Sequence, residues 1–156
     1  MHREIGGPGL GLIGMCFSGG YALATVLEPS VLAPVMAEPA LPVRFFRPGA
    51  SRAPGLSPSD AITAGRRIDA ENLCVLGFRF TLDRQSRHER FERLRRLLGD
   101  NFEGIEIRSG PGTAYPKKAH SVLTDERIAH GDDPDMVAAV QRLRSFLGER
   151  LHPVGA

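Results

Sequence analysis

Short apolar runs alternate along this chain with segments in which apolar residues recur every three or four positions. The first two runs are Gly9 to Met15 (GLGLIGM) and Ser30 to Glu38 (SVLAPVMAE). Each has the length of a strand and is bounded by turn-forming residues. Between them Gly19 to Leu27 (GGYALATVL) reads as a helix. It stops before Pro29, because the residue preceding a proline is pushed out of helical geometry. Pro34 lacks a ladder donor, so the second strand is expected at a sheet edge, or to end there.

Arg44 to Leu56 (RFFRPGASRAPGL) is expected to be a loop. After it, Ser57 is placed as a helix N-cap, Pro58 at the first helical position and Asp60 near the positive end. Leu73 to Phe80 (LCVLGFRF) is the strongest strand, an almost unbroken apolar run of the kind covered on both faces. His88 to Leu98 carries Phe91, Leu94 and Leu98 on one helical stripe and is closed by Gly99. Phe102 to Ile107 (FEGIEI) is a fourth strand. Asp133-Pro134 opens a last helix, striped by Met136, Val140, Leu143, Leu147 and Leu151.

Strand and helix thus alternate four times, which predicts an α/β fold of about four parallel strands flanked by helices, with right-handed crossovers. At 156 residues a single domain spanning 1–156 is expected, long enough to bury a core. In such sheets, chemistry gathers at the carboxyl ends of the strands.

Composition narrows the picture only slightly. With 42% hydrophobic and 24% charged residues the chain is an ordinary globular mixture, not a disordered one. Ile5 to Leu27 has no charged residue, but seven glycines and Pro8 interrupt it, so neither a membrane span nor a signal peptide is expected. Cys16 and Cys74 form no disulfide framework, which makes a reducing, cytoplasmic setting the default. The arginines at 84, 87, 90, 93, 95 and 96 raise the question of nucleic acid. Glu89 and Glu92 offset them, and a solvated helix face explains the run more simply, so no nucleic-acid partner is expected. Spacing among His120, His130 and the nearby acids does not match a metal site.

The first strand ends in Gly14-Met15-Cys16-Phe17-Ser18-Gly19-Gly20. A nucleophile elbow needs small residues two before and two after the reactive one, so that strand and helix backbones can approach closely. Framed on Cys16, those positions are Gly14 and Ser18; framed on Ser18, they are Cys16 and Gly20. Cys16 directly follows the strand and is preferred, though spacing leaves Ser18 open. The following helix would favour a thiolate, and the Phe17 N–H would serve as an oxyanion donor.

A thiol nucleophile needs a base, and the base needs an orienting acid. His2 and His152 lie at the chain ends, His88 opens a surface helix and His130 sits in a polar run. His120 follows the loop after the fourth strand, and Asp83 comes three residues after the strongest strand. Cys16, Asp83 and His120 then appear in the order nucleophile, acid, histidine that α/β-hydrolases use.

The elbow resembles the G-x-C-x-(S/T)-G-G elbow of the dienelactone hydrolase family. Ala33-Pro34-Val35, Pro39-Ala40-Leu41-Pro42, Leu73 to Asp83 and Ala119-His120-Ser121 also look like that family. The resemblance implies a partial α/β-hydrolase fold, with Cys16 as nucleophile, Asp83 as triad acid and His120 as base. It implies cleavage of a small-molecule carboxylic ester or lactone without metal or organic cofactor. Family members carry several strands before the elbow strand, whereas this chain starts almost at it, so a C-terminal part of the domain is expected. The alternative expectation is a catalytically inactive fragment or pseudoenzyme, acting if at all by self-association through an exposed apolar sheet edge.

Overall fold

The computed structural model describes residues 6–40 and 57–152. Among them are four strands: β1 (Leu10–Met15), β2 (Val31–Ala37), β3 (Val75–Phe80) and β4 (Phe102–Ile107). They form one parallel sheet in sequence order. The helices are α1 (Gly19–Ala22), α2 (Pro58–Glu71), α3 (His88–Leu98), α4 (Asp125–Ala129) and α5 (Pro134–Leu151). This is the α/β arrangement that the alternating pattern predicts. The loop expected at Arg44 to Leu56 lies outside the described residues.

Each face of the sheet has its own core. On one face Leu23 and Val26 pack with Ala64 and Ile68 of α2 and with Phe91, Leu94 and Leu98 of α3, against Met36, Val75 and Phe102 of the sheet. On the other, Met136, Ala139 and Phe146 of α5 cover Val35, Leu76, Phe78 and Ile107. All six residues of β3 are buried, as an apolar run covered on both sides requires. The cap at Ser57 forms as expected, its side chain accepting the Asp60 N–H at 3.1 Å, and Asp133 caps α5 by accepting from Asp135. Among the described residues no helix is long and apolar enough to cross a membrane.

Three expectations need correction. Pro34 does not put β2 at an edge: β2 lies between β1 and β3. Pairing with β3 begins at Val35, one residue beyond the proline, so the missing donor costs no bond to β3. The helix expected over Gly19 to Leu27 is one α turn followed by a 3-10 turn at Ala24–Leu27. Gly19 and Gly20 make a poor first turn, and the chain must reverse at Pro29. The arginine run, finally, is not one solvated face. Arg90 is buried and donates to the Pro39 carbonyl, and Arg95 pairs with Glu92 and Glu106.

Among the described residues no strand pairs with the outer side of β1, where Ile13 and Met15 are 41% and 38% exposed. The other sheet edge, β4, lies beside a buried aromatic pair: Phe91 meets Phe102 edge to face at 5.3 Å. Arg79 and Arg95 both stand over the Phe91 ring. Phe91→Ala is expected to cost about 3–5 kcal/mol of unfolding free energy, the usual loss for a fully buried aromatic. Urea unfolding followed by circular dichroism measures it; a loss below about 1 kcal/mol would show that α3 does not anchor this core.

Candidate active site

The turn after β1 is tight for a stated reason at each position. Cys16 has φ of +50°, a left-handed conformation that an L side chain adopts only under constraint. The constraint is on both sides of it. Its N–H donates to the Ala37 carbonyl at 3.0 Å, while its own carbonyl accepts from Gly19 at 3.1 Å and from Ala40 at 2.8 Å. A Cβ on Gly14 would lie 2.5 Å from the Ser18 carbonyl oxygen, and one on Gly19 would lie 2.8 Å from that of Ala37. Close backbone approach is therefore why glycine stands two before and three after Cys16.

The acid is held just as locally. Asp83 follows β3 and is buried, and its Oδ1 accepts the N–H groups of Gln85 at 2.8 Å and Ser86 at 3.1 Å. Both bonds turn the chain back towards α3 and aim the second oxygen outward. That oxygen, Oδ2, lies 2.7 Å from Nδ1 of His120. Across the ring, Nε2 of His120 lies 3.1 Å from Cys16 Sγ. Residues far apart in sequence thus form one hydrogen-bonded line, Asp83 to His120 to Cys16.

Burial works against a charged imidazole here. The hydrogen bonds to Asp83 and Cys16 outweigh it and push His120 up to about 9. Ser18 takes a different part: its hydroxyl accepts the Met15 N–H at 3.0 Å and donates to the Met15 carbonyl at 2.9 Å. Ser18 therefore closes the turn, and Cys16 is the residue that meets the histidine. Among the described residues no protein acceptor takes the Phe17 N–H, which leaves it open to a ligand oxygen. Support from a helix dipole is weaker than the sequence suggests, because α1 is a single turn.

Several supporting groups were not anticipated. Thr81, Leu82 and Ser109 lace the loop after β3 to the one after β4, with Leu82 N–H on Ser109 Oγ and Ser109 N–H on Thr81 Oγ1. Tyr115 is anchored by its hydroxyl on Asp133 at 2.7 Å and by its ring on Phe80. That fixes the stretch leading into His120, and no pattern in the sequence marks it. Arg90 could have been found: it stands four residues before Leu94, on the inward side of α3. Burial pulls its guanidinium down to about 10 and the nearby Asp83 charge opposes this, so it stays protonated at neutral pH. Glu38, the first residue after β2, is buried at the same edge of the sheet and accepts the Val122 N–H at 3.1 Å.

Cys74 is half-buried, packs against the α5-side core, and has its thiol pushed up by burial. Among the described residues no group of three His, Cys, Asp or Glu side chains is arranged to hold a metal ion. No family model matches the chain, and no curated protein or solved structure does.

Asp83→Asn should let His120 fall from about 9 towards its ordinary value near 6.5, read from the imidazole proton shifts by NMR. Hydrogen bonds to charged partners are worth roughly 1.5–3 kcal/mol, and that is the expected stability loss at pH 6. Because the folded-state value of His120 lies above its unfolded value, this contribution is complete below about 6.5 and vanishes as pH rises through about 9. A gap between variant and wild type that widens with pH would contradict the assignment.

Proposed function

We propose that this chain carries the reacting groups of a dienelactone-hydrolase-like enzyme that cleaves a carboxylic ester or lactone. The observation that carries this reading is the unbroken line from Asp83 through His120 to Cys16, at 2.7 Å and 3.1 Å. A thiol at hydrogen-bond distance from an imidazole, itself oriented by a buried carboxylate, is the arrangement that makes a cysteine nucleophilic.

With His120 pushed up to about 9, its Nε2 already holds the proton of a thiolate–imidazolium pair with Cys16 at neutral pH, and Asp83 on Nδ1 orients the ring and balances its charge. The Cys16 thiolate adds to the substrate carbonyl carbon. The carbonyl oxygen becomes an oxyanion and is met by the Phe17 N–H, provided the acyl group lies across the elbow. Collapse of this adduct breaks the carbonyl carbon–oxygen single bond, and the departing alkoxide collects the proton from His120. In a lactone the alcohol stays tethered; in an ester it leaves. His120 then deprotonates a water that attacks the thioester, and the acid is released as the thiolate–imidazolium pair is restored.

A second reading, a catalytically inactive member of the same family, is favoured by one observation. Ile13, Met15 and Phe17 are exposed beside Cys16 at the β1 edge of the described sheet, so an oxyanion formed there is poorly shielded from water. Association through that edge would be its mode of action.

A pre-steady-state assay with p-nitrophenyl acetate separates the two. The enzyme reading expects a burst of p-nitrophenolate stoichiometric with protein, with the acetyl group on Cys16 by mass spectrometry. Cys74→Ala should leave the burst intact and Cys16→Ala should remove it. No burst from folded protein supports the inactive reading, and a burst that survives Cys16→Ala refutes the assignment of the nucleophile.

A further inference from the structure

Glu38 sits between the turn that holds Cys16 and the loop that carries His120. It is the first residue after β2 and is only 1% exposed, and its φ of +35° is a left-handed conformation that strains a residue with a side chain. Its N–H is pinned to the Phe78 carbonyl at 2.8 Å. Residues just before and just after it hold the elbow: Ala37 accepts from Cys16, and Ala40, two positions on, donates to it. Pro39 accepts from Arg90. The Glu38 side chain reaches the other way, and Oε2 accepts the N–H of Val122, two residues beyond His120. One strained turn therefore grips the nucleophile through backbone bonds and the base loop through a side chain.

Holding a single amide does not call for a carboxylate. A buried acid whose hydrogen-bond partner is a neutral amide is costly to ionise, and a neutral acceptor would serve the amide as well. The charged groups around it give the carboxyl its further use. Those that act on it are His120 and Asp83 of the hydrogen-bonded line and Asp125 of α4, while the Arg90 guanidinium lies on the adjoining Pro39 carbonyl. Burial raises Glu38 to about 7, against the opposing pull of the Val122 amide and of His120. The carboxyl thus changes charge near neutral pH, within electrostatic reach of His120.

We propose that Glu38 is a positioning residue of this site: it ties the His120 loop to the turn that holds Cys16, and its negative charge favours the imidazolium that accompanies a Cys16 thiolate. The proposal rests on the reading of Cys16 and His120 as nucleophile and base. It adds a second carboxylate, one that acts on the histidine from the β2 end and not through Nδ1.

The test is the rate of Cys16 alkylation by iodoacetamide, resolved from Cys74 by mass spectrometry, from about pH 5 to about pH 9. Wild type, Glu38→Gln, Glu38→Ala and His120→Ala are compared. Glu38→Gln keeps an acceptor for Val122 but no charge. It should match wild type below about pH 6 and fall behind at about pH 8 by up to about tenfold, the population change of a coupling of one pKa unit. Glu38→Ala should lag at every pH, because the base loop is released. A Glu38→Gln profile that overlays wild type throughout, or lies below it by one constant factor, overturns the proposal while leaving an activated Cys16 in place. A wild-type profile that already coincides with His120→Ala overturns the catalytic reading, and this proposal with it.

Discussion

Parallel pairing in near-perfect register is the constraint on which everything else here depends. Met15 lies opposite Ala37, Ala37 opposite Phe78, and Phe78 opposite Ile105. Because all four strands run the same way and end almost level, the residues that follow them are delivered to one edge of the sheet. Cys16, Glu38 and Asp83 come directly from three of those ends, and His120 is carried there by the long segment after β4. Covering both faces is what makes this register stable: a one-residue slip of β3 would exchange Val75, Gly77 and Arg79 with Leu76, Phe78 and Phe80 between two different cores.

Charge inside this framework is arranged in two separate groups. Arg79 is buried at the end of β3, pairs with Glu106 of β4, and donates to the Ser86 and Thr81 carbonyls, so it stitches the Asp83 loop to its own strand. Glu106 also takes Arg95 and is held below the usual carboxylate range by these cations, although burial opposes them. Here opposite charges satisfy one another, and the group serves as a brace. The second group is Asp83, His120, Glu38 and Arg90, in which the charges are not simply paired off. His120 is driven up, Glu38 is driven up, and Arg90 is driven down. The proposed use of Cys16 and His120 would draw on these shifts.

The same contrast separates the parts of the molecule that were readable in advance from those that were not. Periodicity located every strand to within a residue or two, because a parallel strand covered on both faces must be an apolar run, and β2 and β3 are such runs. Caps marked α2 and α5, since an N-terminal side chain acts within its own turn. The elbow was readable in part for a similar reason. Glycine at 14 answers a backbone clash with Ser18, four residues on, whereas glycine at 19 answers one with Ala37 at the end of the neighbouring strand. Pro34 misled because a proline reports a missing donor but not whether a neighbour needs it, and α1 was overextended because its apolar residues suit a 3-10 turn equally well.

What the chain by itself determined is thus local: the order of elements, the two-faced core, the strained turn at Cys16 and the placing of an acid and a histidine after later strands. Only the tertiary structure decided which groups meet. That Nε2 of His120 reaches Cys16 and not Ser18 depends on a contact between residues 104 apart in sequence. That Glu38 and Arg90 are drawn in beside them depends on how the β2 turn, α3 and the His120 loop pack together. Such contacts are set by where whole elements settle once their apolar faces are buried, and no short-range pattern encodes that.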